Sequence, residues 1–151
     1  MTVRALTRGE LAKEAAISAT INAVITLGFY FGMFHGLAAV PVWGIGGFAY
    51  DFLPQSFMVT LMGTAIPGMI WSRRRAGALA RPLVVAVLAR VLAFAVAALV
   101  LGSGAWLLVL WASGAAWIGF MPGLAIKIVY SVALSLVVTP AMLHRLPEVA
   151  R

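Results

Sequence analysis

The chain contains no cysteine. That single absence removes disulfides, thiolate metal sites, thiol catalysis and S-palmitoylation together. Acid is nearly as scarce, with four Asp and Glu against eleven Lys and Arg, and charged residues of either sign make up only 10% of the sequence. A soluble domain is roughly a quarter charged, so these residues could not cover a water-facing surface. There are two histidines, His35 and His144, too few and too far apart to suggest a metal cluster.

What is present is apolar. The 151 residues are 64% hydrophobic, with a mean hydropathy of +1.06, which points to a single membrane domain over residues 1–151. The formal net charge of +7 would raise nucleic-acid binding in a soluble protein. Here the basic residues flank apolar runs, so the expected partner is a bilayer with anionic headgroups, and no nucleic acid is expected.

The strongest signal runs from Asp51 to Arg75. A mostly apolar segment of spanning length, about 53–72, ends in Trp71-Ser72-Arg73-Arg74-Arg75. A triple arginine is costly to translocate and holds that end in the cytoplasm. Asp51 caps this span and Pro54 sits in its first turn, where a missing amide proton costs nothing. Pro67 is expected to kink it.

Upstream, Thr7-Arg8-Gly9-Glu10 fits a capping box, with Leu6 and Leu11 placed for a hydrophobic staple, so a helix is expected from about Arg8. The apolar run after it is far longer than a signal-peptide core. The first span covers about 14–37 and carries small residues every fourth position, at Ala15, Ala19 and Ala23 and again at Gly28, Gly32 and Gly36. Such stripes let another helix backbone approach closely. Residues 40–50 are too rich in glycine for a helix and too apolar for a solvated loop, and read as an interfacial or partly re-entrant connection. The third span covers about 83–101 and its apolar character continues to 111. Gly102-Ser103-Gly104 predicts a helix end or bend within that run. A second connection covers 115–121, and the fourth span runs over about 122–143, disturbed by Pro140, with Pro147 barring further helix.

The expected fold is therefore an all-α integral membrane protein of four transmembrane helices. Arg4, Arg8, Lys13, Arg73, Arg74, Arg75, Arg81, Arg145 and Arg151 all fall in segments assigned to the cytoplasm, and both termini are placed there by the positive-inside rule. A shift of 68 residues sets Trp43 on Trp111, Phe52 on Phe120, Pro54 on Pro122 and Asn22 on Arg90. Duplicated helical hairpins explain this, as does coincidence in tryptophan- and proline-marked connections. The first hairpin, with Ala-Ile-Ser-Ala-Thr-Ile-Asn early and Asp51-Phe-Leu-Pro-Gln-Ser-Phe-Met to Pro67-Gly and Arg73-Arg-Arg late, resembles small bacterial inner-membrane proteins of unassigned function. That resemblance implies a helical hairpin and a bacterial inner-membrane location, and carries over no catalytic or binding residue.

Chemical motifs are sparse. His35 and His144 fall near opposite faces in this topology and cannot form a bis-histidine haem site; His35 is read as an interfacial histidine or a lone pigment or haem ligand. Asp51 and His35 share a face, but Ser56 and Ser103 bring no nucleophile elbow. Gly44-Ile-Gly-Gly lacks the strand and lysine of a phosphate loop. Neither an enzyme nor a cofactor is expected.

The residues that the bilayer penalises remain: Arg90 and Lys127 inside spans, with Asn22, Glu14 and Asp51 as candidate partners. Lys127 is expected either to pair with Asp51 or to snorkel to the interface. Arg90 is expected to point into the bundle, bond near Asn22 and direct its guanidinium toward Glu14. The favoured function is a non-enzymatic accessory or assembly subunit docked to a membrane-protein partner. The alternative is a small homo-oligomeric transporter or channel subunit, with Arg90, Lys127 and Asn22 lining a path.

Overall fold

The computed structural model describes residues 6–76 and 81–146. The segment before Leu6, residues 77–80 in the turn between Arg75 and Arg81, and the tail with Pro147 lie outside the described residues. The chain forms α1 (Arg8–Phe34), β1 (Ala39–Pro41), α2 (Phe52–Ala76), α3 (Arg81–Ser113), β2 (Trp117–Gly119) and α4 (Phe120–His144). Among the described residues, α1, α3 and α4 are long and apolar enough to cross a membrane. The protein is accordingly a multi-pass membrane protein.

The capping box starts α1. Glu10 N–H donates to Thr7 Oγ1 at 3.2 Å, and Thr7 N–H donates to Glu10 Oε2 at 2.8 Å, so two orphan amides of the first turn are satisfied reciprocally. Leu6 packs near buried Leu11 in the core at that end of the bundle. The helix stops at Phe34, short of the expected 37. Gly36 takes φ +84 and turns the chain, so it leaves the helical stripe that Gly28 and Gly32 share.

The expected break at Gly102-Ser103-Gly104 does not end a helix. The helical path continues for 33 residues to Ser113, passing through a π-helical stretch at Ala98–Ser103. An extra residue in the turn lets the glycines be accommodated while Ser103 swings inward. Its hydroxyl donates to the Phe52 carbonyl of α2 at 2.9 Å and to Ser56 Oγ at 2.8 Å. Tyr130 of α4 closes this triad through Ser56. A side chain at Gly102 would collide with the Tyr130 hydroxyl, so close approach is the reason for that glycine.

Helix packing crosses between the hairpins. α1 packs chiefly on α4, and α3 chiefly on α2, while α2 and α4 pack on each other at the centre. Within each hairpin, α1 scarcely meets α2 and α3 scarcely meets α4. Two hairpins thus interlock, each lending its second helix to the first helix of the other.

The two connections at one end of the bundle also join. β1 pairs antiparallel with β2, Ala39 opposite Gly119 and Pro41 opposite Trp117. Further backbone bonds run from Val42 N–H to Ala116 O at 2.9 Å and from Phe120 N–H to Ala38 O at 3.1 Å. Val40, Val42, Phe48 and Ala49 are fully buried beneath this miniature sheet. The apolar connection is therefore neither solvated nor re-entrant helix: it folds back as a lid on the bundle end, with positive φ at Gly44 and Gly46 making its turn.

Candidate functional site

Pro67 sits inside α2 and has no amide proton for the carbonyl four residues earlier, that of Gly63. Buried between helices, that oxygen must find a protein donor. It finds Thr139 Oγ1 of α4 at 3.0 Å and Ser18 Oγ of α1 at 3.4 Å. Thr139 also donates to Ser18 Oγ at 3.1 Å. One turn along α1, the Asn22 amide reaches Ser135 Oγ of α4 at 2.9 Å and the Val59 carbonyl of α2 at 3.3 Å. Ser18, Asn22, Thr139 and Ser135 are all buried. Three helices are stitched at one level, and a Cβ on Gly63 would lie 2.6 Å from Ser18 Oγ, so glycine is what lets the stitch close.

Nearer the strand end, Lys127 on α4 is completely buried. Its Nζ lies 3.0 Å from Asp51 Oδ2, whose side chain is 18% exposed. Lys127 does not snorkel. Its ammonium also sits 3.5 Å from the centre of the Phe52 ring and 4.8 Å from that of Phe48, so the ring faces supply the negative potential that water would have given. Tyr30 borders this chamber and donates to the Phe120 carbonyl at 3.0 Å. Between ion pair and stitch lies Gln55, whose Nε2 donates to the Lys127 carbonyl at 3.1 Å and to Thr26 Oγ1 at 3.4 Å.

These groups form one side of a cleft of about 580 Å³ between α1 and α2, lined by Asn22, Thr26, Asp51, Gln55 and Lys127 among mostly apolar neighbours. The cleft exists because the two helices of the first hairpin scarcely touch. Its rims, Ile25 and Phe29 on α1 and Met58 and Met62 on α2, are exposed, so it opens sideways from the bundle.

Of the residues singled out in the sequence, Asn22, Asp51 and Lys127 come together around this cleft. Arg90 and Glu14 do not. Arg90 Nη1 bonds the Ala86 carbonyl of its own helix at 3.1 Å, and the Asn22 amide is committed to Ser18, Val59 and Ser135. The expected Arg90–Asn22–Glu14 grouping fails because their helices take other partners: α1 packs chiefly on α4 and α3 chiefly on α2. Glu14 is half-buried on α1 and joins neither. Ser18, Thr139, Ser135 and the freed Gly63 carbonyl were missed, although a proline four residues after a glycine in an apolar helix is a legible sign of a carbonyl seeking a donor. His35 is exposed, and among the described residues no group of three or more His, Cys, Asp or Glu could hold a metal ion.

Comparison with known protein families, curated proteins and solved structures gives no match for this chain.

The ion pair predicts a strongly non-additive double-mutant cycle. Asp51→Ala strands a buried ammonium and should cost roughly 3–5 kcal/mol, whereas Lys127→Met leaves a carboxylate that still meets water and should cost less. The double variant should be clearly more stable than the sum of the two losses, measured by unfolding of the full chain in detergent. Additive losses would show that the two side chains do not act as a pair.

Proposed function

We propose that this is a non-enzymatic integral protein of the bacterial inner membrane, an accessory or assembly subunit that docks to a larger membrane-protein partner. In this reading α2 is a fourth spanning helix and both termini are cytoplasmic. Length supports α2 as a span, since it has 25 residues. Its polar residues lower its hydropathy, yet Ser56, Thr60, Thr64 and Ser72 are all buried, so lipid would not meet them.

The observation that carries the docking reading is the bare small-residue face of α1. The small residues Ala15 and Ala19 are buried within the bundle. Gly28 and Gly32 are exposed, and a Cβ on either would meet nothing within 4 Å. Val24, Ile25 and Phe31 stand exposed beside them. A shallow groove between apolar ridges is the shape by which membrane helices associate closely, and this chain leaves it unused. The transport alternative is less well supported: Asn22 and Lys127 are consumed by internal partners, and Arg90 lies on a helix that lines no cavity with them.

Two experiments test this. Purified from native membranes in mild detergent, the protein should carry a stoichiometric larger membrane protein. The Gly28→Leu/Gly32→Leu variant should lose that partner and keep its own melting temperature. A bare homo-oligomer unaffected by the double substitution would favour a self-contained transport subunit instead. For topology, the absence of native cysteine allows single-cysteine labelling. Ile45→Cys and Ala116→Cys should react with an impermeant thiol reagent in intact cells, and Ala76→Cys should not; labelling at position 76 alone would reverse the orientation.

A further inference from the structure

Two helix ends meet at one level of the bundle. Leu11, three residues into α1, packs in one buried cluster with Met142, Leu143 and Leu146 at the end of α4 and with Val87 and Val91 of α3. A side chain at Gly68 would run into Met142 and Val87, which brings α2 to the same level. Helix ends leave backbone groups without helical partners, and hydrocarbon satisfies none of them. The edge of the hydrocarbon therefore passes near this cluster. Lengths agree. Leu11 to Phe34 and Phe120 to Leu143 each make 24 residues, and Val91 to Ser113 makes 23. At 1.5 Å per residue these are roughly 34–36 Å long, just over the ~30 Å of a bilayer core.

Arg90 is thus an edge residue, and α3 runs on for about 13 Å past it to Arg81. It shares a face of α3 with half-buried Phe94, one turn along. Arg145, just beyond the end of α4, holds its guanidinium carbon 5.9 Å from the centre of the Phe94 ring. Two arginines therefore border one aromatic side chain, on two helices that scarcely meet.

Neither charge is compensated from within the bundle. Among the described residues neither arginine makes an ion pair, and Asp51 is held by Lys127 at the strand end. Arg90 is half-buried, and its Nη1 bonds the Ala86 carbonyl, an oxygen that already accepts the Arg90 amide within the helix. Arg145 is exposed. A half-buried guanidinium beside an aromatic ring, with one shared carbonyl as its partner, calls for an anion from outside the chain.

We propose that Arg90 and Arg145 grip the phosphate of one anionic phospholipid in the gap between α3 and α4. The planar guanidinium fork matches a pair of phosphate oxygens. At the hydrocarbon edge that phosphate continues into acyl chains, which take up the apolar side of the site at Phe94; an anion free in water has no such continuation. The proposal rests on the membrane reading of the chain and not on the docking face at Gly28 and Gly32.

The purified full chain in zwitterionic micelles is titrated with phosphatidylglycerol and with phosphatidylcholine of the same acyl chains, and bound lipid is counted by native mass spectrometry. One phosphatidylglycerol should bind about tenfold more tightly, the effect of one charge-assisted hydrogen bond. Arg90→Gln and Arg145→Gln should each erase most of that preference, and the double variant should add little, because one phosphate serves both. Arg73→Gln/Arg81→Gln removes two exposed charges at the same end of the bundle and should leave the preference intact. Arg145 lies outside the packed core, so its variant reads the site even if Arg90→Gln does not fold. Equal binding of the two lipids, an equal loss in the Arg73/Arg81 variant, or displacement of the lipid by millimolar inorganic phosphate would overturn the proposal. So would a copurified protein, in place of lipid, shielding both arginines from an arginine-reactive reagent. The lipid titration involves neither partner nor sidedness, so its outcome is separate from that of the docking and topology experiments.

Discussion

A carbonyl oxygen freed by a proline inside a helix packed among other helices cannot be left alone, and the Gly63 carbonyl is where this bundle is fastened. Water would satisfy such an oxygen in a soluble protein at little cost. The interior of the bundle holds Gly63 away from solvent, so donors must come from neighbouring helices, and both Thr139 and Ser18 supply them. The position of that oxygen fixes the level at which α1, α2 and α4 cross. Glycine at 63 removes the one side chain that would hold them apart. Asn22 extends the same seam by a turn, and the Asp51–Lys127 pair anchors its strand end.

Hydrophobic burial does not drive this assembly, because lipid tails are as apolar as the residues that face them. Large side chains such as Phe29, Leu101, Trp111 and Val129 are exposed without penalty. What distinguishes the inside here is the polar residues it holds: serine, threonine, asparagine and one lysine are buried, while many large apolar residues, Ile17, Leu101 and Val129 among them, point out. The interlocking of the hairpins follows, since the inward polar residues of α1 find their partners on α4 and on the central α2. The lid of paired strands closes the one end where the connections are too apolar to meet water.

Much of this could be read from the residues. The helix start at Thr7 and the spanning segments at α1, α3 and α4 follow from capping chemistry and apolar length. Charge and depth leave Lys127 two places, a pair with Asp51 or the interface, and the fold takes the pair. The rest was hidden for physical reasons. Two glycines around Ser103 look like a break, yet a π turn spends the extra residue on bringing that serine to α2. Three-residue strands carry too short a pattern to register as strands. Counting residues along the expected spans matches Arg90 with Asn22, but α1 begins at Arg8, further ahead of Asn22 than Arg81 is of Arg90, and which helix meets which depends on interhelical packing that no single helix encodes. The cleft was equally hidden, being a property of two helices that meet only along part of their length.

The central claim, that the proline-freed carbonyl is what Thr139 holds, is tested most directly by asking whether Thr139 matters less once the proline is gone. In the parent chain, Thr139→Val should lower stability in detergent by about 1 kcal/mol, the scale of one interhelical hydrogen bond in a membrane protein. With Pro67→Ala in place, residue 67 regains an amide proton for the Gly63 carbonyl, and the same Thr139→Val substitution should cost clearly less. An equal loss from Thr139→Val in both backgrounds would contradict the account.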